Sequence, residues 1–161
     1  MLDINTIIQS RAMKYLETSQ TLNRADISEI EKELSIVFPD DFVAHYLRYN
    51  GGYPESDAYK WRDEGATTVN AFLSLKYNGF GNLENTYKNL ALLERYFPLG
   101  IVPFALDDGG NLFCISVREN NFGKVYYFNN NHYDAGDEES ALTFLENTFT
   151  NFIETLSGRL K

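Results

Sequence analysis

The sequence has few of the residues that most often hold metals or act as nucleophiles. Its 161 residues include one cysteine, Cys114, and two histidines, His45 and His132. A single cysteine cannot form a disulfide within the chain, which is typical of proteins in a reducing cytoplasm. One thiol and two scattered imidazoles cannot supply the tetrahedral ligand set of zinc. We therefore expect a cytoplasmic protein that holds no metal.

Positive charge and long apolar runs are also scarce. The chain has 14 Lys and Arg against 23 Asp and Glu, a formal net charge of −9. Such a chain repels phosphate backbones, so nucleic acid is a poor partner. No run approaches the roughly 20 apolar residues of a membrane span, and the first residues lack the basic and apolar blocks of a secretory signal. We expect neither nucleic-acid nor membrane binding, while the acidity itself either solvates the protein or attracts a basic partner.

The sequence also lacks the common motifs of catalysis and phosphate binding. It has no glycine-rich loop ending in Lys-Ser or Lys-Thr and no Gly-x-Ser-x-Gly elbow. A helix start and a turn explain the acid pairs Asp40-Asp41 and Asp107-Asp108. The oxygen-rich segment 129–139 lacks the alternate-residue ligand spacing of a calcium loop. We therefore predict a protein that is not an enzyme and needs no cofactor, unless distant carboxylates meet in space.

Apolar residues are abundant, at 43% hydrophobic and 15% aromatic. A chain of this length and composition can bury a core of its own without a disulfide or a metal. We predict a single domain over residues 1–161, with a helical N-terminal extension at 1–20 and a core at 26–156. No oligomeric state follows from these residues.

Helical periodicity predicts helices at both ends of the chain. The first helix is expected over 3–16, followed by a polar connector. A second is expected from Asp26, with Asp26 and Glu29 as a capping box. Further helices are predicted from Pro39 to the Asn50-Gly51-Gly52 cap, over 83–96, and over 140–160.

Strands are predicted in the middle of the chain, after a long loop over 53–66. A first strand is expected over 67–75. Two apolar runs, 101–105 and 112–117, flank an Asp-Asp-Gly-Gly-Asn turn and predict a hairpin, and a further strand is expected over 124–128. Short connections make these strands antiparallel. The predicted fold class is α+β, with a central, mainly antiparallel sheet flanked by N-terminal helices and a long C-terminal helix.

Three segments together resemble the SUKH superfamily, the Smi/Knr-type domain. Their order and spacing span residues 26 to 156. The resemblance implies an α+β fold with a largely antiparallel sheet, in agreement with the periodicity. The first segment is Ile30-Glu31-Lys32-Glu33-Leu34, a short spacer, and Phe38-Pro39-Asp40-Asp41-Phe42 running into Tyr49-Asn50-Gly51-Gly52. The second is Ile101 to Ile115 with Asp107-Asp108-Gly109-Gly110-Asn111, and the third is Gly123-Lys124-Val125-Tyr126-Tyr127-Phe128 with an aromatic-rich closing helix behind it.

The resemblance also implies a function. Most bacterial members of the superfamily are inferred to be immunity proteins, which neutralise toxin domains delivered between competing cells. These toxins are often nucleases with basic active surfaces, and an acidic inhibitor would be attracted to them over long range. The resemblance thus implies a non-catalytic domain that binds a cognate, basic toxin domain. The alternatives are an intracellular scaffold or regulatory domain, like the eukaryotic cell-wall regulators of the superfamily, or a small-ligand-binding domain.

The matched polar positions and one aromatic segment are the candidate contacts for a protein partner. Polar loop side chains on a rigid sheet can serve as contacts, although the same residue types also shape tight turns. Tyrosine and tryptophan supply much of the energy of interfaces, although those of segment 53–61 can equally fold back onto the core. No catalytic residue carries over from the resemblance. The candidate partner-binding residues are Asn50, Tyr53, Tyr59, Trp61, Asp107, Asp108 and Asn111.

Overall fold

The backbone forms one five-stranded and two two-stranded antiparallel sheets, together with four α-helices, in the part of the chain that the structure describes. The computed structural model describes residues 14–61, 65–79, 81–93, 97–130 and 137–156. The strands are β1 (Tyr15–Leu16), β2 (Tyr53–Pro54), β3 (Ala58–Trp61), β4 (Gly65–Thr68), β5 (Ala71–Phe72), β6 (Ile101–Leu106), β7 (Leu112–Ser116), β8 (Val125–Phe128) and β9 (Leu142–Glu146). The helices are α1 (Arg24–Leu34), α2 (Asp40–Arg48), α3 (Leu83–Tyr87), which continues into a π-helical turn at Lys88–Leu93, and α4 (Phe149–Thr155).

The larger sheet has the strand order β5–β6–β7–β8–β9, and every neighbouring pair is antiparallel. β6 and β7 are the predicted hairpin, paired from Ile101 opposite Ser116 to Leu106 opposite Leu112. All residues of β7 are buried, so the centre of the sheet is covered on both faces. The predicted α+β class with a central antiparallel sheet is confirmed.

Helices α1 and α2 lie where periodicity predicts them, but the cap of α1 differs. Asn23 is the N-cap: its side chain accepts a hydrogen bond from the Asp26 backbone N–H, and the Asp26 carboxylate accepts one from the Asn23 backbone N–H, each at 2.9 Å. This is a capping box with Asp26 in its third helical position. The predicted Asp26–Glu29 box is therefore wrong, because Arg24 and Ala25 are already helical.

Two predictions in the first half of the chain are wrong because short strands form there. Most of the predicted helix over 3–16 lies outside the described residues, but Tyr15 and Leu16 form β1, which pairs with β2. The predicted loop over 53–66 contains β2, β3 and the start of β4, and β3 pairs with β4 from Ala58 opposite Thr68 to Trp61 opposite Gly65. These strands have two to four residues, too few to show a clear alternation.

The segment before the last helix is also a strand. Residues 142–146, predicted as helix, form β9, which pairs with β8. The pairing shifts register between Val125 and Tyr126, so the side chains of β9 do not alternate strictly between the two faces of the sheet. Leu142 and Leu145 are therefore three residues apart, a spacing that is also typical of a helix. The helix begins only at Phe149, where the Thr148 hydroxyl accepts a hydrogen bond from the Asn151 N–H at 3.0 Å.

The core between the sheet and helices α2 and α4 is largely aromatic. Phe42 of α2 stacks on Tyr46 with ring centroids 4.6 Å apart and meets Phe149 of α4 edge-on at 5.0 Å. Phe104 of β6 meets both Phe149 and Phe152 edge-on, at 5.2 and 5.5 Å. Edge-to-face ring contacts add to the free energy of burial, so this cluster fixes both helices on the sheet.

Candidate partner-binding surface

The turn between β6 and β7 is built around the carboxylate of Asp107, which is only 6% exposed. Its Oδ1 accepts hydrogen bonds from the backbone N–H groups of Gly109 and Asn111, each at 2.9 Å. Its Oδ2 accepts from the Tyr127 hydroxyl and, at 3.4 Å, from the Asn111 side-chain amide. Burial, together with the hydrogen bond to the Asp107 carboxylate, raises the pKa of Tyr127. Asp107 therefore organises the turn from inside.

The outer side of this turn is held by the segment that follows β8. The Asn111 side-chain oxygen accepts a hydrogen bond from the Asn130 backbone N–H, and the Asn130 side-chain amide donates one to the Gly110 carbonyl, both at 3.0 Å. Gly110 has a φ of 83°, which favours glycine. Asn111 is half-buried and Asp108 is exposed at the tip. Among the three predicted contacts in this turn, only Asp108 has a well-exposed side chain.

Asn50 is buried, at 2% exposure, and its side chain forms hydrogen bonds to two other segments, at Gln20 and at Leu75. Its amide nitrogen donates to the carbonyls of Gln20 and Leu75, both at 2.9 Å, and its Oδ1 accepts from the Leu75 N–H at 2.7 Å. Next to it, a Cβ on Gly51 would lie 2.5 Å from the Ser74 hydroxyl oxygen. A partner cannot reach the Asn50 amide without breaking these hydrogen bonds. The docking surface proposed below lies elsewhere and contains none of the seven contacts predicted from the sequence.

The aromatic candidates are not gathered on one exposed loop. Tyr59 in β3 is buried at 3% exposure, its ring stacks on Phe152 at 5.3 Å, and its hydroxyl donates to the Glu146 carboxylate at 3.0 Å. Tyr53 is half-buried in β2. Trp61 ends β3 opposite Gly65, and its side chain lies outside the described part of the structure. Of the two alternatives for these aromatics, Tyr59 follows the one in which the ring packs onto the core.

The structure nevertheless brings the two candidate segments near each other. The Asn70 N–H donates to the Leu106 carbonyl at 2.8 Å, and the Val69 N–H donates to the Asp57 carbonyl at 2.7 Å. These bonds place the base of the β3–β4 hairpin beside the β6–β7 turn. Asn50 lies elsewhere, bonded to Leu75.

The sequence analysis did not predict which large apolar side chains are exposed. A hydrophobic residue within a polar turn segment, such as Phe122 after Asn120-Asn121, is the sequence signal for such exposure. The exposed large hydrophobic residues of the described chain are Leu16, Val37, Leu92, Leu93, Leu99, Phe122 and Phe144.

A family model, described as the SMI1 / KNR4 family (SUKH-1), matches residues 21–155. The chain belongs to this family. The SUKH-1 match contains α1 to α4 and thus the whole five-stranded sheet. The predicted SUKH resemblance is confirmed. A comparison with curated proteins finds no match.

Cys114 and His45 of this SUKH-1 chain both pack within the fold. Burial raises the pKa of the Cys114 thiol well above its usual range, as expected of a small core residue. Burial, with a further contribution from Arg48, lowers the pKa of His45 to about 4. Its Nε2 lies 2.8 Å from the Tyr15 hydroxyl. His132 lies outside the described residues.

The described ranges contain neither a candidate metal centre nor a helix that could span a membrane. No group of three or more His, Cys, Asp or Glu side chains there is placed to hold a metal ion. No helix of the described chain has the length and apolar character needed to cross a membrane.

Proposed function

We propose that this SUKH-1 chain is an immunity protein, a non-catalytic domain that neutralises a cognate toxin domain by binding it and covering its active surface. The family match over residues 21–155 carries the proposal, because bacterial members of the superfamily that the sequence resembles are inferred to act in this way. The protein would act in the bacterial cytoplasm, where a delivered toxin meets its target.

The net charge of −9 supports a basic partner. A nuclease domain is basic where it grips phosphates, and opposite charges raise the rate at which two proteins meet. Acidic side chains are exposed over many parts of the described surface, so that attraction does not depend on one short segment. Exposed examples are Glu17, Glu29, Glu33, Asp40, Glu55, Asp108, Glu119, Asp137 and Glu154.

Several carboxylates form structural contacts within the fold, which supports a binding role for the protein over a catalytic one. The Asp41 carboxylate accepts from the backbone N–H and the hydroxyl of Thr150, at 2.9 and 3.0 Å, and so joins α2 to α4. Asp26 caps α1 and forms an ion pair with Lys76. With Asp107 in its turn, these acids have structural partners, whereas a general acid or base must face its substrate.

A titration of toxin activity tests the proposal. The toxin domain encoded by the gene next to this one is assayed with increasing amounts of the purified protein. Activity should fall in proportion and vanish near a one-to-one ratio, because occlusion is stoichiometric. Raising the salt from about 50 to about 500 mM should slow association, because salt screens the attraction between exposed charges.

An unrelated acidic protein of similar size and charge is the control, and it should leave the toxin active. A toxin that keeps full activity in the presence of about a tenfold excess of this protein, well above any stoichiometric requirement, would contradict the proposal.

A further inference from the structure

Three of the exposed hydrophobic side chains are carried by segments that meet at one end of the larger sheet. Val37 is 65% exposed, Leu99 63% and Phe122 47%. Val37 precedes α2, Leu99 precedes β6, and Phe122 lies in the turn between β7 and β8. Soluble proteins rarely expose large apolar side chains in a group unless the group binds something.

The β7–β8 turn that carries Phe122 is held by bonds of its own. The Gly123 N–H donates to the Ser116 carbonyl at 2.8 Å, and the Ser116 N–H donates to the Lys124 carbonyl at 2.9 Å. The Asn121 side chain accepts from the Ser116 hydroxyl and donates to the Tyr126 hydroxyl at 3.0 Å. Phe122 is thus presented on an ordered turn, which lowers the entropy lost on binding.

Leu99 is fixed against the same turn. Its carbonyl accepts a hydrogen bond from the Arg118 guanidinium Nε at 2.7 Å. The next residue, Gly100, donates its N–H to the Tyr87 hydroxyl and accepts at its carbonyl from the Val117 N–H, both at 2.9 Å. The segment that carries Leu99 therefore cannot move away from the turn without breaking two hydrogen bonds, and a third ties it to α3.

Val37 belongs to the third segment, which contacts the turn at Gly123 through Pro39. A Cβ built on Gly123 would lie 3.7 Å from Pro39 Cγ, which is an ordinary contact distance. The neighbouring Phe38 N–H donates to the Glu31 carboxylate at 2.7 Å and its ring is buried in the core. Val37 is consequently exposed on a segment that is anchored on both the turn and α1.

The charge of the whole chain, more than that of this end, indicates what it would bind. Asp40 follows Pro39, Glu119 lies three residues before Phe122, and both are exposed. Two cations also lie here: the Arg118 Nε donates to the Leu99 carbonyl, and the Lys124 ammonium lies 5.7 Å from the centre of the Phe144 ring. The net charge of −9 attracts a basic protein over long range and disfavours a second copy, which carries the same charge.

We propose that Val37, Leu99 and Phe122 form the docking surface for a basic protein partner, with Asp40 and Glu119 at its rim. The inference rests on the proposed function, since the partner is the toxin domain named there. The partner would place an apolar side chain against the three residues and Lys or Arg against the two acids. Interfaces commonly combine such an apolar centre with a charged rim.

The test measures affinity for the purified toxin domain encoded by the adjacent gene, by calorimetry. The triple variant Val37→Ser, Leu99→Ser, Phe122→Ser should bind at least about 30-fold more weakly than wild type, because central apolar contacts dominate binding energy. The control variant Leu16→Ser, Glu55→Gln changes an exposed leucine and an exposed acid elsewhere and should bind within about threefold of wild type. If the triple variant is not folded by circular dichroism, the single variants Leu99→Ser and Phe122→Ser replace it.

The outcomes separate this inference from the function on which it rests. Binding by wild type that the triple variant or its single replacements retain overturns the docking surface and leaves the immunity function standing. Absence of binding by wild type overturns both. Dimerisation of wild type that the triple variant abolishes, with toxin binding unchanged, assigns the surface to a second copy and also overturns the proposal.

Discussion

The two turns at the ends of β7 differ in where they direct their side chains. Before β7, the polar residues of the β6–β7 turn bond to one another, and the carboxylate of Asp107 points inward to backbone N–H groups and a tyrosine. After β7, the β7–β8 turn also closes by hydrogen bonds, yet it leaves Phe122 exposed beside the segments of Leu99 and Val37. The comparison shows that one polar turn can direct its side chains into the fold while another leaves an apolar side chain exposed for contact.

Removing the central carboxylate of the β6–β7 turn should have the largest effect. We expect Asp107→Ala to lower the free energy of unfolding by about 3 kcal/mol, because two backbone N–H groups and the Tyr127 hydroxyl lose their acceptor. Urea denaturation measures the change. The neighbouring Asp108→Ala, at the exposed tip, should cost less than about 0.5 kcal/mol. An equal loss of unfolding free energy in the two variants would contradict the different roles given to the buried Asp107 and the exposed Asp108.

Acid should lower the stability of the protein through His45, which lies in α2 and in neither turn. Its effect is a reference against which changes in the two turns can be compared. His45 has a folded-state pKa of about 4, against about 6.5 when unfolded, so the unfolded chain takes up the proton first. Stability should fall as the pH drops from about 6.5 to about 4, by about 2 kcal/mol for this half-buried ring. Thermal melts of wild type and His45→Gln measure it, and the variant should show a shallower fall. The same slope in both would assign the acid sensitivity to other groups.

Alkali acts on the β6–β7 turn through Tyr127. Its folded-state pKa lies above the unfolded value of about 10, so its contribution is intact below pH 10 and is lost as the pH rises beyond it. At pH 11 wild type should have lost about 1 kcal/mol more than Tyr127→Phe, each measured against its own stability at pH 9. Tyr15 and Tyr46, whose pKa values are also raised, are present in both proteins and cancel in the comparison. A wild-type loss no greater than that of the variant would show that Tyr127 ionises without cost.

The smallest effect is expected at the β7–β8 turn. Phe122→Ser should change the free energy of unfolding by no more than about 0.5 kcal/mol, because the ring is already half in water and the turn's hydrogen bonds do not use it. Urea denaturation beside Asp107→Ala gives the contrast directly. A loss comparable to that of Asp107→Ala would mean that the Phe122 ring supports the fold.

The fold was predictable wherever the signal is local. The β6–β7 hairpin combines two apolar runs with an Asp-Gly turn, and α1 and α2 carry apolar residues at helical spacing, so neighbouring residues suffice to define them. β3 and β9 are different. β3 is a four-residue strand of a hairpin in a segment rich in charged residues, and β9 pairs with β8 across a register shift. Their strand character depends on pairing that a short window of sequence does not contain.

The candidate site was less predictable for a related reason. Asn50, Asp107 and Asp108 are all polar residues in turns, and composition cannot tell which of them faces inward. Burial in the folded chain decides: Asn50 and Asp107 are buried and bond to backbone groups, whereas Asp108 is exposed. The exposure of Val37 and Phe122 likewise depends on which apolar residues the core has room for.

The burial of the lone thiol has a practical consequence. Cys114 lies in the middle strand of the five-stranded sheet with no exposed surface, and no second cysteine in the sequence competes with it for a reagent. A thiol-specific dye can therefore label the protein only when the sheet opens, so the rate of labelling reports the opening of its centre without any engineered probe. Addition of a bound partner should slow that rate if the partner stabilises the native state, which gives a label-based assay for binding.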